Sequence, residues 1–373
     1  MDPQRVFCLN MDCPTRGQTG QGNIGVHSQK ERRYICHECG DTFVERRGTP
    51  LYRLHHAAEV FEIVIALFAY GCPLAAVVAA YGLDERTAAD WQKRAGQHSQ
   101  AVHEHLVEQP RDLGNVQADE IRVKLQDQIV WLAMALMVRT RLWLGGQVST
   151  QRDEALIIRL MKQVRAAALA RPLLFCVDGL NGYIGAIRFV FRSALPSGKQ
   201  GGRHKMIAWP EIHIGQVIKQ YQDRHVLGVL RRVFQGSEAI VQRLIAQNDG
   251  GKVLNTAFIE RLNATFRARL APLTRRTHAL ACQEATVQMG VYLIGTVYNF
   301  CTEHASLRLK LWVGEHGFRW VQRTPAMAAG IADHCWSVHE LLSFHVPPPR
   351  WQPPAHPGKR SAAEKALIQR WCK

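Results

Sequence analysis

The sequence predicts a mixed α/β protein whose largest part is built on one mixed β-sheet. Residues 115–125, 128–138 and 141–149 are three strand-like runs with short polar breaks, and they predict an antiparallel meander. Residues 153–170 follow with helical periodicity, and the continuous apolar run 172–177 then predicts a buried strand. Together with a cysteine-rich N-terminus, these runs separate the chain into a large α/β domain and smaller flanking modules.

The chain carries a strong excess of positive charge, with 47 Lys+Arg against 31 Asp+Glu and a formal net charge of +16. A sequence pI near 9.7 indicates a polyanionic partner, either nucleic acid or an acidic membrane surface. Residues 1–10 lack the apolar core of a signal peptide, and the uncharged run 63–83 is broken by a Gly-Cys-Pro turn into halves too short to span a bilayer. We therefore expect a cytoplasmic protein without a membrane span, while the charge alone leaves nucleic acid and an acidic membrane surface both open.

Residues 1–53 are predicted to form a zinc ribbon. Two close cysteine pairs, Cys8 with Cys13 and Cys36 with Cys39, are separated by a 22-residue loop. Such pairs can converge as four thiolate ligands around a tetrahedral Zn²⁺ ion. The module has few large apolar side chains, so the metal would supply most of its folding free energy. Four thiolates leave no open coordination position, which makes the predicted zinc structural.

Residues 54–112 predict a helix-turn-helix and a linker helix. Residues 55–70 are apolar at helical spacing, residues 74–81 form a short second helix, and residues 85–97 form a polar third helix. The last helix of such a module enters the major groove of DNA, and its candidate DNA contacts are Arg86, Lys93 and Arg94. A small bundle that only packs is the alternative, because the segment holds 4 basic and 8 acidic residues.

Residues 113–280 predict a catalytic domain with an RNase H-like sheet, which begins with three antiparallel strands, a helix and a parallel strand. In that arrangement an acidic residue on the first strand lies beside one at the end of the fourth, and Asp119 and Asp178 occupy these places. A helix at 255–270 places Glu260, Asn263 and Arg267 on the arc opposite its apolar residues. Three carboxylates suit two Mg²⁺ ions, or Mn²⁺, at a phosphodiester.

These residues resemble the pattern of a known family. Asp119, Asp178 and Glu260, with Arg267 seven positions later, resemble the acid triad of DDE-type insertion-sequence transposases. Residues 255–263 and 273–277 are similar to the glutamate helix of the insertion-sequence-one-like group, and residues 298–307 and 323–330 are similar to its C-terminal signature. That group also carries an N-terminal cysteine box and a helix-turn-helix. The resemblance runs over roughly residues 8–342.

The resemblance implies a DNA transposase that binds element ends and catalyses Mg²⁺-dependent strand cleavage and strand transfer. Asp119, Asp178 and Glu260 would be its catalytic residues and its magnesium ligands, and Arg267 would hold phosphate beside them. The implied partners are double-stranded DNA, as terminal inverted repeats and as target, and further copies of the chain in a homodimer or larger assembly. No membrane partner is implied, and the expected location is cytoplasmic and nucleoid-associated. The alternatives are an inactive DNA-binding repressor derived from a transposase and an RNase H-like nuclease without strand transfer.

The first metal ligand is not decided by the strand pattern. The apolar phase changes at Asp119-Glu120, from Val116 and Ala118 before the pair to Ile121 after it. Alternation therefore leaves both acids open as the ligand, and Asp119 is assigned on the resemblance alone.

Charge is concentrated around the predicted acids. Residues 181–280 hold 16 basic and 5 acidic residues, which predicts a DNA channel, with a solvated charge run as the alternative. The candidate DNA contacts here are Lys252, Asn263, Arg267, Arg275 and Arg276. Residues 281–345 predict a helical C-terminal extension, and residues 346–373 predict a proline-rich, extended or disordered tail.

Overall fold

The computed structural model describes residues 1–195, 204–223, 225–274, 281, 283–314, 317–352 and 362–372. It divides into a first unit, Met1–Gly48 with His345–Lys373, and a second unit, Thr49–Phe344. The protein is mixed α/β, with a four-cysteine cluster in the first unit and a mixed six-stranded sheet in the second, as predicted at that level. None of the described helices is long and apolar enough to cross a membrane.

The first unit contains a small antiparallel sheet in the order β1-β2-β3. Its strands are β1 (Ile24–Ser28), β2 (Arg33–Cys36) and β3 (Thr42–Val44). Tyr34 on β2 pairs with Phe43 on β3, and both side chains are buried against the cysteines. A core of this size supplies little hydrophobic stabilisation, so cross-linking by a metal would contribute much of the stability of the unit.

Three helices open the second unit. They are α1 (Ala58–Ala69), α2 (Leu74–Tyr81) and α3 (Glu85–Leu106). Asp84 caps α3, because its carboxylate accepts a hydrogen bond of 2.9 Å from the N–H of Arg86. The third helix was predicted to end at residue 97, but α3 is one helix of 22 residues that includes the start of the predicted linker helix. Buried Ala95 and Val102 extend its apolar face beyond the predicted end.

The predicted meander is present as β4 (Asn115–Lys124), β5 (Ile129–Met137) and β6 (Leu142–Ser149). The chain continues through α4 (Glu154–Ala166), β7 (Leu173–Val177), α5 (Gly182–Val190), β8 (Arg192–Ala194), β9 (Met206–Ala208), β10 (Ile212–Gln222) and β11 (His225–Gln235). The sheet order is β11-β10-β7-β4-β5-β6. Strand β7 runs parallel to both β4 and β10, whereas β10 and β11 form an antiparallel hairpin.

The remaining elements of the second unit are α6 (Glu238–Gln247), α7 (Ala257–Arg269), α8 (Glu284–Thr296), β12 (Leu309–Val313), β13 (Gly317–Val321), α9 (Pro325–Ala328) and α10 (Val338–Ser343). Strands β12 and β13 pair as an antiparallel hairpin. The segment predicted to be a helical extension therefore also contains strands. Lys310 packs over the rings of Trp312 and Phe318 and screens part of the exposed apolar face of this hairpin.

Helices cover both faces of the sheet. Ile121 and Val123 of β4 share a core with Ile259 and Phe266 of α7. Helix α5 lies on the other face. There the hydroxyl of Tyr183 donates a hydrogen bond to Glu120, the β4 residue directly before Ile121. Helix α3 packs on α8 at Gly96, where a Cβ atom would lie 2.6 Å from the Cβ of Met289, so only glycine allows this approach.

The proline-rich segment packs on the ribbon within the first unit. Arg16 Nε donates a 2.6 Å hydrogen bond to the carbonyl of Pro349. Gly17 has a φ of +69°, and a Cβ atom there would lie 2.8 Å from the carbonyl oxygen of Pro348. The start of the predicted tail is thus extended but attached, and helix α11 (Ala362–Trp371), which was not predicted, lies near its end.

Candidate functional site

The first candidate site is the cysteine cluster of the first unit. The sulfur atoms of Cys8, Cys13, Cys36 and Cys39 all lie within 4.8 Å of one another. The Sγ atoms of Cys8 and Cys39 are 3.6 Å apart, and those of Cys13 and Cys36 are 3.8 Å apart. A tetrahedron with Zn–S bonds of about 2.3 Å has edges of about 3.8 Å, so this arrangement can hold a structural zinc ion.

The environment of the thiols also suits a metal. Burial raises the pKa of Cys8 and of Cys13. At Cys36 burial acts in the same direction, but the N–H groups of Cys39 and Glu38 outweigh it and lower the pKa to about 7. Buried thiolates need a compensating positive charge, and a divalent cation supplies it.

The second candidate site is an acid cluster in the second unit, where β7 meets β4. Val116 and Gln117 of β4 pair with Phe175 and Cys176 of β7, so that Asp178, directly after β7, lies level with Asp119. Oxygen atoms of Asp119, Glu120 and Asp178 lie within 4.8 Å of one another. The structure therefore brings together the first two acids that the sequence predicted.

Of the adjacent acids Asp119 and Glu120 on β4, Asp119 is half-buried and faces α7. Its Oδ2 accepts a 2.8 Å hydrogen bond from Nδ2 of Asn263, and its Oδ1 accepts one of 2.9 Å from the N–H of Glu120. Burial and the negative charges of Glu120, Asp178 and Glu260 raise the pKa of Asp119 to about 7. Carboxylates that repel each other in this way are a suitable donor set for a hard divalent cation.

Glu120 lies on the opposite face of β4, and its side chain is fully buried. Its Oε1 accepts a 2.7 Å hydrogen bond from Nε of Arg152, and its Oε2 accepts one of 2.9 Å from the hydroxyl of Tyr183. Burial and the charge of Asp178 raise the pKa of Glu120, while Arg152 opposes them. The Glu120 side chain is fully buried whereas Asp119 is half-buried, which favours Asp119 as the more accessible ligand.

Hydrogen bonds join helix α7 to β4 at the first turn of the helix and again one turn later, at Asn263. Oε1 of Gln117 accepts hydrogen bonds of 3.0 Å from the N–H groups of Phe258 and Ile259, the second and third residues of α7. One turn after Glu260, Asn263 is 2% exposed and donates to Asp119. Asn263 was predicted as a DNA contact; the structure places it between α7 and the acid cluster.

Glu260 is on α7 but outside the cluster of described acids whose oxygens lie within 4.8 Å. Its Oε1 accepts a hydrogen bond of 2.6 Å from Nζ of Lys219 on β10 and one of 2.7 Å from Oγ1 of Thr256. Partial burial raises its pKa, but Lys219 and Thr256 outweigh this effect, and the net pKa lies below its ordinary value. The carboxylate is thus held ionised, close enough to raise the pKa of Asp119.

The predicted DNA contacts differ in exposure. Arg86, Lys93 and Lys252 are exposed. Arg94 is half-buried and donates a hydrogen bond to the carbonyl of Tyr52, so its guanidinium has a structural role within the second unit. Arg267 is half-buried on α7, and Arg275 and Arg276 lie outside the described residues.

Several site residues were missed by the sequence analysis. Arg152 sits in an irregular segment before α4, Tyr183 on α5 and Lys219 on β10, and none belongs to a recognisable motif. Their contacts with acids 32, 63 and 41 positions away in the sequence depend on how the elements pack. One sequence signal was available for Tyr183: it lies near the start of the mostly apolar run that follows Asp178. No protein-family model matches the chain, and no curated protein matches it.

Proposed function

We propose that the protein is a DNA transposase whose second unit has an RNase H-like core. The observation that carries the proposal is the meeting of Asp119 and Asp178 at neighbouring positions of two parallel strands, where a divalent cation can bind both. A bound cation of this kind would activate water and then a 3′-hydroxyl for attack on a phosphodiester. The positively charged sequence around the acids suits a DNA substrate.

The strand order supports the RNase H-like assignment. The first five long strands of the second unit are arranged as β6-β5-β4-β7-β10, and β5 is the one that runs antiparallel to its neighbours. An RNase H-like sheet has this order and these directions. Hairpin strand β11 extends the sheet beyond β10 and carries the basic pair Arg231 and Arg232.

We assign separate tasks to the residues around the acids. Asp119 and Asp178 hold the cation, and Asn263 fixes the carboxylate of Asp119 through its amide. Arg152 neutralises Glu120 and lies 3.9 Å from Asp178 Oδ2, so it keeps the two acids at a fixed spacing. Glu260, held by Lys219, stands one turn from Asn263 on α7 and is the third acid of the proposal, released from Lys219 when metal and DNA bind.

The proposal includes zinc at the four cysteines and duplex DNA as partner, in the form of terminal repeats and target. Two ends must be processed together in a transposition reaction, so the proposed active form is a homodimer or a larger assembly. Exposed Arg86 and Lys93 on α3 are the proposed contacts of the helix-turn-helix.

The test is metal-dependent strand cleavage by the purified full chain. We expect nicking of supercoiled plasmid in Mn²⁺ or Mg²⁺, and joining of a 3′-hydroxyl end to a second duplex. Asp178→Asn should abolish both steps, whereas Asp127→Asn, which removes an exposed carboxylate from the turn between β4 and β5, should retain them.

Each other outcome identifies a different function. DNA binding without cleavage in either metal would identify a repressor, and cleavage without joining would identify a nuclease. If Asp178→Asn were as active as the unaltered protein, the acid cluster would have no part in catalysis.

A further inference from the structure

A polar cavity lies in the second unit, and none of the clustered acids lines it. Its volume is about 550 Å³, and it opens where β5 ends and β6 begins. Met137, which lines it, pairs with Val116, three residues before Asp119 on β4, or about 10 Å along the strand. Five arginines line it, and we call it the arginine pocket: Arg111, Arg139, Arg141, Arg308 and Arg323.

Within the part of the chain that the structure describes, no ion pair neutralises these arginines. Among the described residues, no carboxylate oxygen lies within 4.0 Å of any of the five guanidinium groups. Two acids also line the cavity, Asp112 and Asp249. Asp112 pairs instead with Arg171, at 3.4 Å. Five cations and two anions leave the pocket strongly positive.

Four of the five guanidinium groups are held in place by neutral partners. Arg111 donates to the carbonyl of Leu106 at 3.0 Å, and Arg323 donates to that of Leu307 at 2.7 Å. Arg141 stacks 3.8 Å from the ring centre of Phe258, and Arg308 lies 4.2 Å from that of Trp320. These contacts orient the charged groups without removing their charge, which lowers the entropy cost of binding an anion.

A buried hydroxyl gives an independent indication of a ligand. Thr140 lines the pocket and is 5% exposed, yet its Oγ1 is buried without a hydrogen-bond partner among the described residues. A buried hydroxyl left in this state costs free energy, and such groups are rare in folded proteins. Because Oγ1 itself is closed to solvent, a change of the Thr140 rotamer would let it donate to an anionic oxygen in the pocket.

We propose that the arginine pocket binds phosphate groups of a nucleic-acid backbone. The planar fork of arginine matches the oxygen atoms of a phosphate, and several forks around one cavity suit adjacent phosphodiesters. The described lining residues include no aromatic side chain on which a base would stack, so the contact is to the backbone and independent of sequence. The site does not depend on the acid cluster and is tested without added divalent metal.

The test measures how tightly three variants bind a short DNA duplex, by fluorescence anisotropy at several salt concentrations. The variants are Arg139→Gln, Arg370→Gln and Thr140→Val. Arg139 is exposed and forms no hydrogen bond or ion pair with another described residue, so Arg139→Gln should fold normally. We expect it to weaken binding about fivefold and to lower the slope of log K against log salt by about one. Arg370→Gln removes the same charge from the exposed helix α11 and should have little effect on either quantity.

Thr140→Val separates ligand binding from stability. Removing an unpartnered hydroxyl should leave the melting temperature unchanged or raise it, while DNA affinity falls about threefold because one hydrogen bond to phosphate is lost. A purely structural threonine would show the opposite pattern, with lower stability and unchanged affinity, and that result would contradict the proposal.

A second arm identifies the source of the phosphate. Calorimetry with inorganic pyrophosphate should show weak binding that Arg139→Gln reduces, while duplex DNA binds more tightly. If Arg139→Gln weakens the binding of pyrophosphate but not that of DNA, the backbone assignment is overturned in favour of a small phosphate ligand. If neither ligand distinguishes Arg139→Gln from Arg370→Gln, the pocket is not a phosphate site.

Discussion

Two adjacent acids on β4 have different environments because side chains alternate along a strand. Asp119 faces α7 and is half-buried, whereas Glu120 faces α5 and is fully enclosed by Arg152 and Tyr183. The same alternation that left the metal ligand undecided in the sequence separates the two roles in the structure. Asp119 is therefore the proposed cation ligand, and Glu120 is the partner of Arg152.

This division of roles predicts opposite effects for two isosteric variants. Asp119→Asn should abolish Mn²⁺ binding, measured by calorimetry or paramagnetic relaxation, with little loss of stability, because repulsion among the acids is relieved. Glu120→Gln should retain Mn²⁺ binding but lower the free energy of unfolding by about 1.5–3 kcal/mol, since it weakens a buried charge-assisted pair with Arg152. Loss of metal binding in Glu120→Gln alone would instead make Glu120 the ligand.

His103 is a buried neutral histidine that gives stability a specific pH dependence. Nε2 lies 3.2 Å from the carbonyl of Leu144, the ring packs on Trp143 and Tyr292, and Glu108 is 3.9 Å away. Burial lowers the pKa of His103 to about 3, and the charge of Arg111 acts in the same direction. The unfolded chain therefore binds this proton below about pH 6.5, while the folded chain does not until about pH 3.

Stability should consequently fall as the pH decreases from 6.5 towards 3. The contribution of His103 at pH 5 is about 2 kcal/mol, relative to pH 8. Urea unfolding at both pH values should show this loss in the unaltered protein and a smaller one in His103→Gln. His55→Gln, which changes an exposed histidine, is the matched control and should keep the full pH dependence. Equal pH dependence in both variants would contradict a buried neutral His103.

At the scale of elements, one β4 side chain, Gln117, holds the start of α7 to the sheet. Gln117 accepts from two N–H groups of α7, and its Nε2 donates to the carbonyl of Asn255 at 2.7 Å. A leucine at this position would fill the space but leave two helix donors without partners. Because Gln117 and Asp119 share one face of β4, this contact also sets the distance between α7 and the acid cluster.

Gln117→Leu should lower the free energy of unfolding by about 2–4 kcal/mol, because buried polar groups lose their partners. Amide hydrogen exchange should increase in the first turn of α7 before it increases in β5. Gln128→Leu, at an exposed position in the turn between β4 and β5, is the control and should change neither quantity appreciably. Unchanged protection of Phe258 and Ile259 in Gln117→Leu would show that packing alone positions α7.

The elements were easier to predict than the contacts between them. Alternation of apolar residues located the meander, and helical spacing located α7 to within two residues at its start. Asn263 was assigned to DNA from its polar arc, although it is 2% exposed and donates a hydrogen bond to Asp119. The pairing of Glu260 with Lys219 was also missed, because a partner 41 residues away leaves no periodic signal. Local pattern determines which face is polar, while packing determines what that face contacts.

At the scale of the whole molecule, the two units differ in how their stability arises. The second unit buries a large apolar core that includes Leu132, Trp143, Phe266 and Val291. Among the described residues of the first unit, the apolar cluster holds six buried residues, and three of them are cysteines of the proposed zinc site. Hydrophobic burial thus supports the second unit, whereas coordination of a metal would support the first.

Removal of the metal should therefore unfold one unit and leave the other folded. A strong zinc chelator should abolish amide protection in β1–β3 while protection in β4, β5 and β7 remains, measured by hydrogen exchange of the full chain. Cys36→Ser should have the same effect without chelator, because a hydroxyl is a poor zinc ligand. Cys176→Ser serves as the control, since Cys176 is a buried thiol on β7 and not part of the cluster; it should lower the stability of the second unit and leave β1–β3 protected. Persistence of β1–β3 protection after complete removal of zinc would mean that the small apolar core suffices, and the metal would then have no structural role.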